Sequence, residues 1–228
     1  PVHELLKLDA PISVAILPYC AHSVEAAERL HRAGRDILLH LPMEPRSYPG
    51  EDPGRGALFV SMSDNEIRQR FEENLKAVPY VSGVNNHMGS RFMEDEAKLR
   101  VVLMEAKEKG LFFIDSRTTQ NSRASLIALN TGLPFKSRDV FIDNVRSYKE
   151  TLRQLTHIPP GTGEASGLLM IGHPYPETLA ALRDAIPLLK DRGVQIVSVS
   201  ALLKTAATGH RPDFKNAGPV PTTGEDHL

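Results

Sequence analysis

The stretch "SGVNNHMGSRF", residues 82–92, decides how this chain is read. It follows "VPYV" and starts as a buried strand. Within residues 85–90 it then carries Asn85, Asn86, His87 and Ser90, four hydrogen-bonding side chains where a turn needs none. Glycine, proline or a single asparagine would leave a core as readily. One such knot carries little weight, so the question is whether other strands end the same way.

They do. "ISVAILP" (12–18) runs out into Tyr19, and "DILLHLP" (36–42) carries His40 and leads to Glu44. "LFFIDS" (111–116) ends in Asp115 and Ser116 with Arg117 beyond, and "DVFID" (139–143) ends in Asp143. "LLMIGHP" (168–174) ends in His173, and "VQIVSVSALL" (194–203), read as a last strand, carries Ser198 and Ser200. Helical patterns lie between them. Ser23 is expected to cap a helix through Arg32, and "SDNE" (63–66) is a capping box opening a helix with Ile67, Phe71 and Leu75 at helical spacing. Residues 94–110, 122–130, 147–155 and 176–193 read as further helices.

Strands apolar on both faces, each followed by a helix, argue for a parallel sheet covered by helices. The expected fold class is α/β, a distorted (β/α) barrel of about seven parallel strands, with an open doubly wound sheet as the alternative. Residues 1–204 are expected to form one domain. Residues 205–228 lack apolar periodicity and read as a disordered tail. "VHELLKLDAP" (2–11) reads as a helix leading into a strand, so an element is expected upstream of Pro1.

Composition excludes several classes. With 228 residues, 24% charged, and a net charge of −1, the chain lacks the basic excess that nucleic-acid binding requires. No apolar run approaches the roughly 20 residues of a membrane span. Cys20 is the one cysteine, which excludes an internal disulfide and a cysteine zinc cluster; a buried structural thiol is expected. The glycines of "PPGTGEASG" (159–167) do not lead from a strand into a helix, so no phosphate loop is expected.

In a parallel βα array the strand C-termini share one face, and chemistry gathers there. Three of nine histidines, His40, His87 and His173, fall on that face with Glu44, Asp115 and Asp143. Imidazole and carboxylate without thiolate suit zinc or another divalent first-row metal, and His87, His40 and Glu44 are the candidate ligands. Such an ion polarises a carbonyl and acidifies water, while a remaining histidine, His173, protonates a leaving group. Asp115 and Arg117 are placed with His173 as catalytic candidates. Tyr19, Asn86, Ser90 and Asp143 are candidates for holding substrate. Plainer roles stand beside these: His40 as a core histidine, Glu44 as a loop charge, Asp115 as a loop cap and Arg117 as its counter-ion.

Taken in order, "AILPY", "LLHLPMEP", "GVNNHMGSRF", "FFIDSRT", "DVFIDN" and "IGHPYPETL" resemble the divergent polysaccharide deacetylase family, relatives of the NodB-type carbohydrate esterases, over about residues 10–203. The resemblance implies a distorted (β/α) barrel, a divalent metal with zinc the expected ion, and removal of acetyl groups from an N- or O-acetylated polysaccharide, such as a peptidoglycan-type glycan. It also implies an extracytoplasmic, periplasmic or secreted, setting in bacteria. His173 stands where NodB-type enzymes place their general acid, and Asp115 near their orienting acid. His40 and Glu44 stand where those enzymes have a metal-binding histidine pair, and His87 lies on the strand of their Arg-Pro motif. The family's Asp-Asp pair is absent from residues 1–20, and a strand upstream of Pro1 ending in such a pair would favour the enzyme. Two readings follow, a metal-dependent deacetylase and a non-catalytic glycan-binding relative, with a phosphoesterase or amidohydrolase on a similar barrel as a third.

Overall fold

The longest strand explains the layering. In β2 (Ile37–Met43) alternate side chains go to opposite faces. Ile37, Leu39, Leu41 and Met43 enter one large core, whereas Leu38 joins a smaller cluster on the other side. His40 follows Leu38 on that second face. The computed structural model describes residues 1–157 and 167–208, with side chains to 204.

Five strands make the main sheet: β1 (Val14–Ile16), β2, β3 (Gly83–Met88), β4 (Phe112–Asp115) and β5 (Phe135–Ser137). They are all parallel and lie in chain order, β1-β2-β3-β4-β5. Each crossover runs through a helix: α2 (Ser23–Arg32), α3 (Asp64–Ala77), α4 (Glu96–Glu108) and α5 (Ala124–Thr131). Right-handed crossovers between strands in sequential order put their helices on one face. The large core accordingly joins Leu30, Phe71, Val102 and Ile127 from these four helices to Leu39, Val84 and Phe113 from the sheet. α1 (Val2–Leu6) precedes β1.

Beyond β5 the sheet divides. Arg138 donates its backbone N–H to Asp115, whereas Asp139, the next residue, donates to Leu169. Successive amides thus turn to different neighbours, and β6 (Val140–Phe141) pairs with β7 (Met170–Ile171) as a separate parallel ribbon. α6 (Tyr148–Thr156) and α7 (Pro176–Asp191) pack on the ribbon, with Leu155, Ala181 and Ala185 around Ile142. The expected seven-stranded barrel is therefore corrected. The described residues form a five-stranded sheet and a two-stranded ribbon, with no closed barrel among them.

The strand expected at 194–203 is also corrected. Residues 194–198 are irregular and α8 (Val199–Thr208) follows. Helix α8 is started from far away in the chain. Ser13 Oγ accepts the N–H of Val199 at 2.9 Å, and Asp36 takes both the N–H and the hydroxyl of Ser200 at 2.9 Å. These bonds satisfy first-turn donors that a helix leaves open. Leu203 of α8 then covers Leu38, Phe112 and Ile114 on the second face of the sheet. The expected tail begins inside this helix, and its remainder, like most of the 159–167 loop, lies outside the described residues.

Two local expectations change. Ser23 is the first residue of α2 and not its cap; its hydroxyl donates to Leu17 O at 2.6 Å and accepts from Cys20 N at 3.1 Å. Cys20 is exposed, not buried, because Pro18 ends the strand and Tyr19 turns the chain out at φ +59°. The capping box holds: Ser63 Oγ accepts from Glu66 N, and Glu66 accepts from Ser63 N. No helix of the described residues is long and apolar enough to cross a membrane.

Candidate functional site at the strand ends

Register brings the histidines together. His40 of β2 is opposite Asn85 of β3, and Pro42 is opposite His87. His40 and His87 thus lie on the same face, away from the helices, and His87 Nδ1 reaches His40 Nε2 at 3.0 Å. His173 arrives from the ribbon. Phe141 pairs with Ile171, so Asp143 and His173 each lie two residues beyond a matched pair. Asp143 Oδ2 accepts from His173 N at 2.6 Å and from Thr178 Oγ1 at 2.9 Å, and Oδ1 lies 3.3 Å from His173 Nδ1. The Asp143 side chain is fully buried and that of His173 is about half exposed. Gly172 makes this close approach possible: a Cβ there would lie 2.5 Å from Ile142 and 3.2 Å from Asp143 Oδ2.

Electrostatics ties the three imidazoles into one site. Burial pushes His40 down to about 3, with the neighbouring His87 acting in the same direction. Burial also lowers His87, helped by His173. Both rings of the close pair are therefore neutral at pH 7 and retain lone pairs. His40 Nδ1 is buried and has no hydrogen-bond partner among the described residues.

The remaining candidates have other company. Glu44 is buried, with Oε1 receiving Arg91 Nη1 at 2.8 Å and Oε2 receiving Val60 N at 2.7 Å. Its carboxylate clamps the long loop after β2, and both of its oxygens already have partners there. Asp115 is buried and accepts the N–H of Arg117 at 2.7 Å, a turn two residues long. Arg117 itself is held at φ +52°. Tyr19 lines a separate cavity of about 210 Å³ with Arg55, Gly56, Arg70 and Glu73. Ser90 Oγ accepts the N–H of Arg46 at 3.0 Å.

The asparagines of the opening stretch are stitches. Ladder pairing between β3 and β4 stops at Asn85–Ile114. Beyond it, Asn85 Nδ2 donates to Ser116 Oγ at 2.6 Å, and Asn86 Oδ1 accepts from Ser116 N at 2.8 Å. Both are buried, so Asn86 holds the floor under His87. Buried amides with full partnerships rigidify a site.

Sequence reasoning missed a row of rings and cations along the rim. Arg138 lies over Phe141 at 5.0 Å, Phe141 meets the His173 ring edge-on at 5.4 Å, and Tyr175 follows at 5.1 Å with Arg146 over it at 4.6 Å. The only hint was the aromatic spacing in "VFIDN" and "GHPYP".

Comparison with known proteins places the chain. The profile of the divergent polysaccharide deacetylases matches residues 1–203. The chain belongs to the divergent polysaccharide deacetylase family. Relatives of this deacetylase-family chain include the uncharacterized protein YibQ of Escherichia coli K12, 30% identical over 217 residues, which span 95% of this chain and 67% of YibQ. An uncharacterized protein of Haemophilus influenzae is 32% identical over 198 residues, covering 87% of this chain and 70% of its own. Among solved structures, an uncharacterized protein of Agrobacterium tumefaciens C58 superposes with a TM-score of 0.83 at 24% identity, covering 88% of this chain and 82% of that one. That likeness establishes a shared fold.

The donor set meets a divalent ion halfway. His40 Nε2 and His87 Nδ1, 3.0 Å apart and neutral, fit two positions of one ion. Catalytic zinc sites use three protein ligands, and no group of three histidine, cysteine, aspartate or glutamate side chains able to hold an ion forms among the described residues.

Proposed function

We propose that the chain is a hydrolase removing acetyl groups from an N- or O-acetylated polysaccharide at the face formed by His40, His87, His173 and Asp143. The observation that carries this reading is the close pair His40 and His87, with His173, held by a buried carboxylate, near enough for its charge to act on both. Asp143 already accepts from His173 N and Thr178, so its other oxygen takes the proton of His173 Nδ1. That bond leaves Nε2 as the nitrogen facing substrate, and in the protonated ring Nε2–H gives its proton to the departing amine or alcohol. His40 and His87 would hold a divalent ion, zinc first, through Nε2 and Nδ1, and the ion would supply Lewis-acid polarisation of the acetyl carbonyl. Asn86 and Ser116 keep the strand ends from spreading beneath the reacting group. A peptidoglycan-type glycan and an extracytoplasmic setting complete the proposal.

The test is acetate release from acetylated glycans by wild type and His173→Ala, with bound zinc measured on the same folded samples. A general acid contributes about 10²–10⁴-fold to rate, so kcat falls within that range while zinc content and KM stay near wild type. Full activity with full zinc in His173→Ala would overturn the assignment.

A second reading, a glycan-binding relative without catalysis, is favoured by the two-ligand donor set. It predicts retention on glycan columns with no acetate release at any zinc concentration.

A further inference from the structure

One flank of the rim carries two arginines, Arg117 and Arg138, that the proposed reaction does not use. Arg117 and Arg138 approach closely enough for each charge to be felt by the other, and Arg138 is pushed down first by burial and then by Arg117. Neither forms an ion pair among the described residues. Asp115 is near enough to favour the charge on Arg138, but it is buried and accepts from the backbone of Arg117. The guanidinium of Arg138 is fixed on three sides: Nε donates to Ser116 O at 2.8 Å, Nη2 to Arg117 O at 3.4 Å, and its face rests on Phe141. Arg117 is set beside it by a left-handed backbone, φ +52°, a conformation costly for a residue with a side chain. Arg138 is fixed by these contacts and Arg117 by its turn, so two like charges share one flank. An anion between them offsets that repulsion, and guanidinium forks suit carboxylates.

Position gives the pair its meaning. Arg138, Phe141 and His173 stand in a row, each in contact with the next. A sugar whose carboxylate meets Arg138 would therefore be the neighbour of the sugar whose acetyl group meets His173. The opposite flank differs: Arg146, over Tyr175, is already paired with Glu177 at 3.2 Å. Of these two flanks, it is the Phe141 side that carries arginines without an ion pair among the described residues.

We propose that Arg117 and Arg138 form a subsite for a carboxylate-bearing sugar, seated one ring from the acetylated residue at His173. This rests on the deacetylase reading for its geometry, yet it can be tested without turnover. The probe is a uronate hexasaccharide free of acetyl groups, compared by calorimetry at low salt with the same oligomer after its carboxylates are reduced to alcohols. A charge-assisted hydrogen bond contributes about 1.5–3 kcal/mol, so the uronate should bind wild type at least about 10-fold more tightly than the reduced oligomer.

Arg138→Gln should abolish that preference and Arg117→Gln should weaken it, both with unchanged binding of the reduced oligomer. Arg138→Lys, which keeps the charge and loses the fork, should retain part of it and guards against a folding defect in the glutamine variant. Equal affinity for the two oligomers, no binding of either, or a preference that survives Arg138→Gln together with Arg117→Gln would overturn the subsite. Uronate preference without acetate release from the acetylated polymer would leave the subsite standing and remove the deacetylase reading instead.

Discussion

His40 shows how one residue can carry both a function and a cost. Its pKa lies at about 3 in the folded chain against the ordinary 6.5. At neutral pH it is uncharged in both folded and unfolded states and makes no difference to stability. As pH falls below 6.5, the unfolded chain takes up a proton that the folded chain refuses, and stability drops by about 1.4 kcal/mol per pH unit until the folded pKa is reached. Between pH 7 and pH 5 the expected loss from this group is on the order of 2 kcal/mol, with His87 adding in the same direction. Urea midpoints measured in chelator across that range should fall steeply for wild type and much less for His40→Leu. Parallel curves for the two proteins would show that His40 is not the acid-sensitive group. At this scale the histidine patch was legible, because strand ends in a parallel array must share a face. Glu44 was not. Nothing in "HLPME" announces Arg91 and the N–H of Val60, which come from the loops that fold back on it.

Elements were legible where local chemistry and tertiary packing agree. The capping box at Ser63 formed as written, and β2 runs through its full apolar stretch. They diverged where a distant group decides. "VSVSALL" alternates like a strand, yet Asp36 and Ser13 take its first amides and a helix results. Strand β5 was missed because its three residues, "FKS", carry no pattern of their own and are recruited by pairing with β4. Asp36→Ala removes the acceptor for the Ser200 N–H and hydroxyl, and should cost about 1–3 kcal/mol. Amide exchange should quicken first in residues 199–203, ahead of β2 and β3. Uniform quickening throughout the sheet would assign Asp36 to the global fold and not to the helix start.

For the whole molecule, the second face of the sheet depends on the end of the described chain. Leu203, with Leu202 and Val199, roofs Leu38, Phe112 and Ile114. A chain ending at residue 198 should keep its five strands and its large helix-side core while uncovering that apolar patch. The expected outcome is near-wild-type far-ultraviolet circular dichroism, strong binding of a hydrophobic dye, and self-association on gel filtration. A monomeric, dye-silent truncation would mean that α8 roofs nothing of consequence. The division of the sheet was beyond sequence reasoning, because the break falls between two adjacent amides, Arg138 and Asp139, whose partners are Asp115 of β4 and Leu169 just before β7.

The bonds that start α8 also bear on the birth of the protein. Ser13 and Val199 are 186 residues apart, and Asp36 and Ser200 are 164 apart. Strands β1 and β2 can pair before the segment that fastens to them has docked. During that interval a half-built sheet presents its unroofed side to its surroundings, and the histidine face lies beside it. Contacts so distant in sequence form late and slow the final step of folding. A chaperone that shelters apolar sheet surface would find its target in that interval, and docking of residues 199–203 would release it.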